Sequence, residues 1–466
     1  MQPSGQNLLL INPWIYDFTA YDLWSKPLGL LYIASFLKQQ GFKVSYIDCL
    51  GSKVKTRRYG TGHFQRTIVD KPEILRSIPR HYARYGMSEL AFRQAVLSLP
   101  KPEAVLITSI MTYWYQGPQH VVQIIRELLP GIPVILGGIY ASLLPAHAKL
   151  VVKPDYILTG PGELKILDLL VNIFDLDKNQ FRIPKSLDDY PYPAFELSPD
   201  LDYLTIITAR GCPYNCSFCA QKKISMRFTQ RNPDEVVKEI VIHFQKYQIR
   251  DFAFYDDALF INHDKHIKHI LKKLIDTNLP LRLHSPNGLF TRYLDEELAE
   301  LMYRANFKTI RLSFETANES RRQDMYNKIS NKGMIDAIKY LTSAGYNPKD
   351  IEAYVIMGLP GQDIDEVIES IVFVNNLGVQ VRLASYSPIP GTMDFDRAVQ
   401  AELIKPDIDP LLTNKTIFPL NLSSEGYEAY RKIRKFSQLM NQAADRELRI
   451  FTDPAFKRVL NTSLKD

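Results

Sequence analysis

Short apolar segments alternate with amphipathic segments over the first 176 residues, as in a parallel sheet covered by helices on both faces. An amphipathic segment at 28–41 ends in glycine and predicts a helix, as does the segment at 120–129. The segments that predict strands are 8–12, 43–48, 104–109, 133–138 and 155–160. The pattern therefore predicts a doubly wound, Rossmann-like α/β domain over residues 1–180, with its ligands beyond the carboxyl ends of the strands.

Small and polar residues follow those predicted strands and are the candidate ligand-binding residues of the first domain. A glycine in this position either lets a ligand approach the backbone closely or simply makes a tight turn, and the sequence does not separate the two readings. The candidates are Asn12, Ser109, Gly137, Gly138, Gly160, Gly162 and Glu163.

Two segments interrupt the regular alternation. Residues 50–100 are rich in Arg, Tyr and Gly, and a connection of this length predicts either a lid over a ligand or an insertion with its own helices. Residues 181–201 are rich in Pro and Asp, which is typical of a linker.

The alternation starts again at residue 202. Six strand-helix units predict a partial parallel barrel over 202–395, with its chemistry at the carboxyl ends of the strands. The predicted strands are 204–209, 251–257, 281–285, 309–315, 351–358 and 381–387. Residues 396–466 predict a mainly helical region whose clearest helix covers 427–448.

Composition limits the class of protein. A chain of 466 residues that is 45% hydrophobic suits two or three globular domains. Its first residues lack the pattern of a signal peptide, and no apolar run reaches the roughly 20 residues of a membrane span, so we expect a cytoplasmic protein without a membrane span. The net charge of +6 is mild, and the basic runs at 53–58 and 431–435 are more typical of solvated surfaces than of a nucleic-acid site.

Three of the four cysteines, Cys212, Cys216 and Cys219, lie in one short loop after a predicted strand. Four cysteines grouped in this way do not form a disulfide framework and favour metal or redox chemistry. Thiolates at this spacing can hold three irons of a cubic 4Fe-4S cluster and leave the fourth iron open to a ligand. Zinc is the alternative, but the loop supplies no fourth ligand.

The sequence CPYNCSFC at 212–219 closely resembles the cluster-binding loop of radical SAM enzymes, with Phe218 at a position that is usually aromatic in that family. The likeness extends over the strand pattern from about 204 to 394. The resemblance implies that the cysteines hold a 4Fe-4S cluster and that its open iron binds S-adenosylmethionine (SAM). It further implies cleavage of SAM to a 5'-deoxyadenosyl radical, with the electron supplied by a donor such as flavodoxin or ferredoxin.

The same resemblance implies roles for other strand ends. Asp256 and Asp257 occupy the position that binds the methionine ammonium, although two acids that cap a helix are the simpler alternative. Glu315 corresponds to a residue that contacts the SAM ribose or ammonium. Gly358 and Pro360, in the sequence GLPGQ, resemble the turn on the adenine side.

The first domain resembles the cobalamin-binding domain of the cobalamin-dependent class of radical SAM enzymes, through the segments 26–48, 109–128, 135–147 and 160–163. This resemblance implies cobalamin as a further cofactor and adds Thr112 and Tyr140 to its candidate binding residues. The Asp-x-His-x-x-Gly loop of many cobalamin domains is absent, so the lower axial ligand of cobalt stays unassigned.

Three other features have competing interpretations. Aromatic residues at 111–115 either stack on the corrin or pack in the core. Cys49 ends a strand and is read as a buried apolar residue rather than a ligand. His263, His266 and His269 lie at helical spacing with Lys265 and Lys268 between them, which predicts a solvated face.

Together these features predict a cobalamin-dependent radical SAM enzyme that methylates an unactivated carbon. The alternatives are a radical rearrangement or cyclisation, and an iron-sulfur or cobalamin sensor without turnover. The sequence leaves the substrate, a small or lipid-like molecule, unidentified.

Overall fold

The computed structural model describes residues 5–51, 53–199, 201–225, 227–326, 329–417, 419–420 and 426–445. Its first sheet has five parallel strands in the order β5-β4-β3-β1-β2. The strands are β1 (Asn7–Asn12), β2 (Lys43–Asp48), β3 (Ala104–Ile107), β4 (Val134–Leu136) and β5 (Tyr156–Ile157). The doubly wound architecture is confirmed, and its strand order reverses between β1 and β3, where this class of sheet binds ligands.

Helices cover both faces of this sheet. They are α1 (Leu28–Gln39), α2 (Glu89–Ser98), α3 (Gln116–Leu128), α4 (Ile139–Leu143) and α5 (Glu163–Ile173). One side of α1, with Leu30 and Leu37, packs in the core of the first domain. Its other side, with Leu31 and Tyr32, packs in the core of the barrel. The helix therefore belongs to two hydrophobic cores.

The segment 50–100 contains the helix α2, as the prediction of an insertion with its own helices requires, and also four short strands that the sequence did not predict. Basic and β-branched residues alternate in KVKT with the period of two that strands require, and RTIV is rich in β-branched residues, which favour strands. The strands form two three-stranded antiparallel sheets with residues that follow β1. One contains Ile15–Asp17, Arg66–Val69 and Tyr82–Tyr85, and the other Tyr21–Asp22, Lys53–Thr56 and Gly62–Phe64.

The second large sheet has six successive parallel strands in sequence order, with a short strand at Leu289–Phe290 beside the fourth. The strands are β6 (Leu204–Ile206), β7 (Asp251–Phe254), β8 (Arg282–His284), β9 (Phe307–Glu315), β10 (Ile351–Met357) and β11 (Gln380–Ser385). Among the described strands, β6 and β11 do not pair with each other, so the barrel is partial, as predicted.

Helices on the outside of the barrel pack on its apolar outer face. They are α6 (Pro233–Tyr247), α7 (Ile267–Asp276), α8 (Glu296–Arg304), α9 (Asn331–Ser343) and α10 (Ile364–Asn376). Outward-facing residues such as Leu283, Leu312 and Val355 join this core. The alternate positions face inward, and several are charged.

The barrel is followed by α11 (Met393–Gln400) and α12 (Tyr427–Asp445). The predicted helix at 427–448 is confirmed through residue 445, and residues 446–466 lie outside the described residues. Asn441 on α12 donates to Val381 O and accepts from Val381 N, which attaches α12 to β11.

Within the described part of the chain, no helix is long and apolar enough to span a bilayer.

Candidate functional site

The cysteine loop begins with a sharp turn directly after the barrel's first strand. Residues Ala209–Arg210 pair antiparallel with Thr229–Gln230, and Gly211 follows with φ +82°. A Cβ on Gly211 would lie 2.7 Å from Arg227 O, so only glycine fits here. Cys212 is partly exposed, Cys216 is buried and Cys219 is exposed. The three thiols thus run from the protein interior to its surface.

Side chains from the far side of the barrel hold the loop in place. Ser217 Oγ donates to Asp394 Oδ2 at 2.7 Å, and Ser217 N donates to Asp324 O at 3.1 Å. Cys216 and Phe218 pack with Ile356 and Tyr386, which lie at the carboxyl ends of β10 and beyond β11. The loop therefore covers the carboxyl end of the barrel, where parallel barrels carry their chemistry.

The structure separates Asp256 from Asp257, which the sequence treated as a pair. Asp256 is buried and accepts hydrogen bonds from Thr208 N at 3.1 Å and Thr208 Oγ1 at 2.6 Å. Burial raises the pKa of Asp256 to about 7. Asp257 lines a cavity and accepts from Gln221 Nε2 beside the cysteine loop. Desolvation by the surrounding protein raises the pKa of the Asp257 carboxyl, although this carboxyl borders the cavity. Asp257 is thus the carboxylate available to a ligand.

Glu315 and Gly358 close two neighbouring strands with left-handed backbone. Glu315 has φ +68°, a costly conformation for a residue with a side chain, and such strain concentrates at functional sites. Gly358 has φ +93°, and its N–H donates to Gln362 Oε1 at 2.7 Å. Arg321 Nη1 donates to Pro360 O at 3.3 Å. Both turns are therefore held rigidly at the barrel's carboxyl end.

Several first-domain candidates make internal contacts. Asn12 Nδ2 donates to Asp48 Oδ1 at 2.7 Å, and both side chains are buried. Ser109 Oγ donates to Gly137 O at 2.7 Å. Tyr140 is fully buried and its hydroxyl lies 2.8 Å from His147 Nδ1. Thr112 is also buried, at the start of a short helical turn. In the structure these four residues therefore lie inside the protein at the strand ends.

The glycine candidates face a cavity of about 280 Å³ between the first sheet and the cysteine loop. Apolar side chains of α1, α5 and the sheet form its inner part, including Leu30, Ile33, Leu106 and Ile166. Its outer part contains Gly137, Gly138, Gly160, Gly162, Glu163, Arg210, Gly211 and Asp257. The cavity thus reaches from the first-domain glycines to Asp257 and to Arg210, Gly211 and Gln221, which flank the cysteines.

The glycines around this cavity do not all have the same structural reason to be glycine. Gly138 has φ +94°, and a Cβ there would lie 2.2 Å from Ser109 O, so local packing requires glycine. At Gly137 a Cβ would meet nothing closer than 3.9 Å, so local packing does not require it. Its backbone is instead open to whatever fills the cavity.

Arg210 is a site residue that sequence reasoning missed. Its Nη2 lies 2.5 Å from Glu163 Oε1, and its guanidinium lies 5.4 Å and 5.7 Å from the ring centroids of Tyr32 and Tyr190. Arg210 immediately precedes Gly211 in the cysteine loop. The sequence signal that could have identified Arg210 is its position directly before the cysteine motif. It has no acidic residue close to it in sequence with which it could pair.

The prediction of a solvated face for the histidine-lysine segment holds for the exposed Lys265 and His269 and is wrong for His266 and Lys268. His266 is buried, with Nε2 3.0 Å from Thr208 Oγ1. Lys268 is buried and bonded to Asp264 and Asp295, both at 2.7 Å. The neighbouring helix α8 and the preceding turn cover this face with acids, which local spacing does not reveal. Oxygen and nitrogen atoms of His263, Asp264 and Asp295 lie within 4.8 Å of one another, but the Lys268 ammonium already binds both carboxylates.

The remaining ambiguous residues are mostly internal. Trp114 Nε1 donates to buried Asp17 at 2.6 Å, and Tyr113 packs edge-on against Trp114. Tyr115 is buried and stacks with Tyr140, whereas Met111 is partly exposed. Cys49 is fully buried, which raises the pKa of its thiol well above the ordinary value. The core reading fits these contacts better than the corrin-stacking reading does.

Residues 206–374 match the model of the radical SAM superfamily. The chain is therefore an enzyme that contains a radical SAM domain, and the cofactors of this superfamily are a 4Fe-4S cluster and SAM.

Over a larger part of its length, the chain is similar to enzymes that catalyse different reactions from one another. The chain is 22% identical to cytidylyl-2-hydroxyethylphosphonate methyltransferase of Streptomyces wedmorensis, over 86% of this chain and 83% of the relative. It is 28% identical to the anaerobic magnesium-protoporphyrin IX monomethyl ester cyclase of Rubrivivax gelatinosus, over 65% of this chain and 60% of the relative. The fold matches the radical SAM methyltransferase TsrM of Kitasatospora setae, solved with cobalamin and a [4Fe-4S] cluster, with TM-score 0.64 and 16% identity over 86% of this chain and 76% of TsrM.

Proposed function

We propose that this enzyme uses a 4Fe-4S cluster, SAM and cobalamin to methylate an unactivated carbon of its substrate. The observation that carries the proposal is the cavity that extends from the glycine edge of the first sheet to the cysteine loop. Two cofactors bound at its two ends would lie next to each other, as a methyl transfer coupled to radical chemistry requires.

Cys212, Cys216 and Cys219 would hold the cluster. Their loop lies over the carboxyl ends of β10 and β11, fixed by Ser217 and by the packing of Phe218. Asp257 is available to pair with the ammonium of SAM, because it lines the cavity beside the loop. Glu315 and the turn at Gly358 and Pro360 border the same end of the barrel and would orient the ribose and adenine.

The cavity also suits a cobalamin. Its inner part is apolar, which favours the flat aromatic base of a corrinoid. Gly137 and Gly160 present backbone with room around it, since a Cβ on Gly160 would meet nothing closer than 3.6 Å. When bound, the cluster supplies the electron that cleaves SAM, and cobalamin supplies the methyl carrier. The residues of this chain orient the cofactors and exclude water from the radical.

The methylating reading is supported by the relatives named as methyltransferases. A radical cyclisation is the second candidate, because the cyclase of Rubrivivax gelatinosus is also similar over 65% of this chain. The two reactions differ in their products. Methylation consumes two molecules of SAM and gives S-adenosylhomocysteine together with 5'-deoxyadenosine, whereas a cyclisation without methyl transfer gives 5'-deoxyadenosine alone.

The deciding experiment measures metal content and SAM products on enzyme purified anaerobically with cobalamin supplied. Four irons and one cobalt per chain, with both SAM products formed under a reductant such as reduced flavodoxin, are the expected result. Iron and deoxyadenosine without cobalt or S-adenosylhomocysteine would overturn the methylation proposal and favour cyclisation. Failure to cleave SAM with a complete cluster would leave only a sensor.

A further inference from the structure

A charged network crosses the inner face of the barrel. Glu352 on β10 accepts from Arg311 Nε on β9 at 2.7 Å and from Arg382 Nη1 on β11 at 2.9 Å. Deeper in the barrel, Arg282 pairs with Asp251, so that pair is neutral. Burial lowers the pKa of His284, which keeps its imidazole uncharged. Because two guanidinium groups share the Glu352 carboxylate, the inner face carries one excess positive charge.

Arg382 is the more accessible of the two arginines that bind Glu352, and the Glu352 side chain is as exposed as that of Arg382. The side chain of Arg382 is 32% exposed and that of Arg311 is 8% exposed. Arg311 is further bonded to Pro286 O and the Tyr354 hydroxyl. Glu352 is the partner that the described residues provide for Arg382, through one nitrogen. The remaining N–H groups of Arg382 are donors that suit an oxyanion.

Aromatic residues from the first domain pack against residues of the same inner face. Trp24 and Tyr59 have ring centroids 5.3 Å and 4.6 Å from that of His284, and the Arg311 guanidinium lies 5.4 Å from the Trp24 ring. Both aromatic residues have left-handed backbone, with φ +63° and +60°.

Trp24 is 5% exposed, and in the described part of the chain its Nε1 has no hydrogen-bond acceptor. A buried N–H without an acceptor destabilises the folded state, and left-handed backbone at a residue with a side chain adds to that cost. Such costs are expected in a binding site, where a bound ligand would accept the hydrogen bond from Trp24 Nε1 and stack on the ring.

We infer that the barrel interior binds an anionic substrate, with a carboxylate or phosphate group of the substrate held by Arg382 and an unsaturated part packed against Trp24. The inference rests on the proposed function, because it places the reacting carbon toward the cysteine loop. Glu352 and Arg382 each precede by four residues the side chains of Ile356 and Tyr386 that pack against that loop. At about 3.3 Å per residue, the backbone of Arg382 lies about 13 Å from that of Tyr386, so the acidic group and the reacting carbon lie at different depths of the barrel.

The test uses three naphthalene probes and calorimetric titration of the anaerobically reconstituted enzyme. The probes are 1-naphthaleneacetate, 1-naphthyl phosphate and the neutral 1-naphthaleneacetamide. We expect at least one anion to bind about tenfold more tightly than the amide, as a charge-assisted hydrogen bond provides. A stronger response to acetate identifies a carboxylate site, and a stronger response to phosphate identifies a phosphate site. Equal binding of all three probes would overturn the inference.

Variants assign the effect to the network. Arg382→Gln should abolish the preference for the anion, and Arg382→Lys should retain part of it. Arg304→Gln is the matched control, because Arg304 is exposed on α8 and pairs with Glu300 within that helix. Glu352→Gln removes the competing carboxylate and should strengthen anion binding, which tests the site even if Arg382→Gln does not fold. An unchanged preference in both variants would contradict the inference.

The outcomes remain separable from those of the proposed function. Wild-type enzyme that cleaves SAM but binds charged and neutral probes equally would overturn the anion site and leave the radical chemistry standing. Wild-type enzyme that prefers the anion but does not cleave SAM would overturn the proposed function.

Discussion

The guanidinium of Arg210 lies 2.5 Å from the carboxylate of Glu163, and this ion pair joins the cysteine loop to the first turn of α5. Glu163 is 7% exposed and Arg210 24% exposed, so the pair is largely shielded from water. Tyr32 and Tyr190 lie against the guanidinium and restrict its position further. The pair fixes the loop relative to the domain that borders the cavity.

Arg210→Gln should lower the free energy of unfolding by about 2 kcal/mol, because it leaves the Glu163 carboxylate buried without its partner. Urea denaturation of the purified protein measures this change. Lys38→Gln is the control, since the Lys38–Glu196 pair is exposed and should contribute under about 1 kcal/mol. Equal effects of the two substitutions would show that the Arg210 pair does not stabilise the fold.

Cys216→Ala should leave the enzyme with less than the full four irons per chain and abolish SAM cleavage, because a cysteine ligand is lost. Iron and sulfide analysis after anaerobic reconstitution measures the first effect. Cys49→Ala is the matched control, since Cys49 is fully buried away from the loop. Full iron content in Cys216→Ala would remove this residue from the cluster.

Gly137→Ala and Gly138→Ala should separate cofactor binding from folding. Alanine at 138 requires left-handed backbone and places a Cβ 2.2 Å from Ser109 O, so we expect a loss of about 2 kcal/mol or more in unfolding free energy. Alanine at 137 has room and should retain the wild-type melting temperature. Its methyl group enters the cavity, and we expect several-fold weaker cobalamin binding, measured by cobalt content. Normal cobalt content in a folded Gly137→Ala protein would argue against cobalamin at this edge.

Asp256 should make the stability of the enzyme depend on pH. Burial raises its pKa to about 7, so the folded state keeps a proton that the unfolded chain releases above about pH 4. Stability from this group is therefore complete below pH 4 and falls as the pH rises to 7, by about 4 kcal/mol at most. Asp256→Asn should remove that dependence, so the stability of the variant relative to wild type should rise between pH 5 and 8. Urea denaturation at both pH values tests this, and a constant difference would contradict it.

Much of the fold could be predicted because apolar patterns repeat along the chain. Every core strand of the two large sheets begins or ends within about three residues of its predicted bounds, since a buried parallel strand needs a continuous apolar run. The segment 50–100 was predicted less well. Its strands KVKT and RTIV are mostly exposed, so they lack the apolar pattern that identifies a buried strand.

The site was predictable where chemistry is local and unpredictable where it depends on tertiary neighbours. Three cysteines in one loop point to a cluster from spacing alone. The separation of Asp256 from Asp257 depends on Thr208, which lies 48 residues away in sequence. Likewise, Lys268 is buried because Asp295 and Glu297 of another helix cover it. No local pattern encodes such partners.

The helix α1 contributes Leu31 and Tyr32 to the core of the barrel and Leu30 and Leu37 to the core of the first domain. A fragment cut within residues 181–201 would carry this helix away from the barrel and expose apolar surface on both products. The two halves should therefore neither be expressed separately in soluble form nor be exchanged freely between related enzymes. A recombination point placed before α1 keeps the helix with the barrel but removes β1, an inner strand of the first sheet, from the strands on both sides of it.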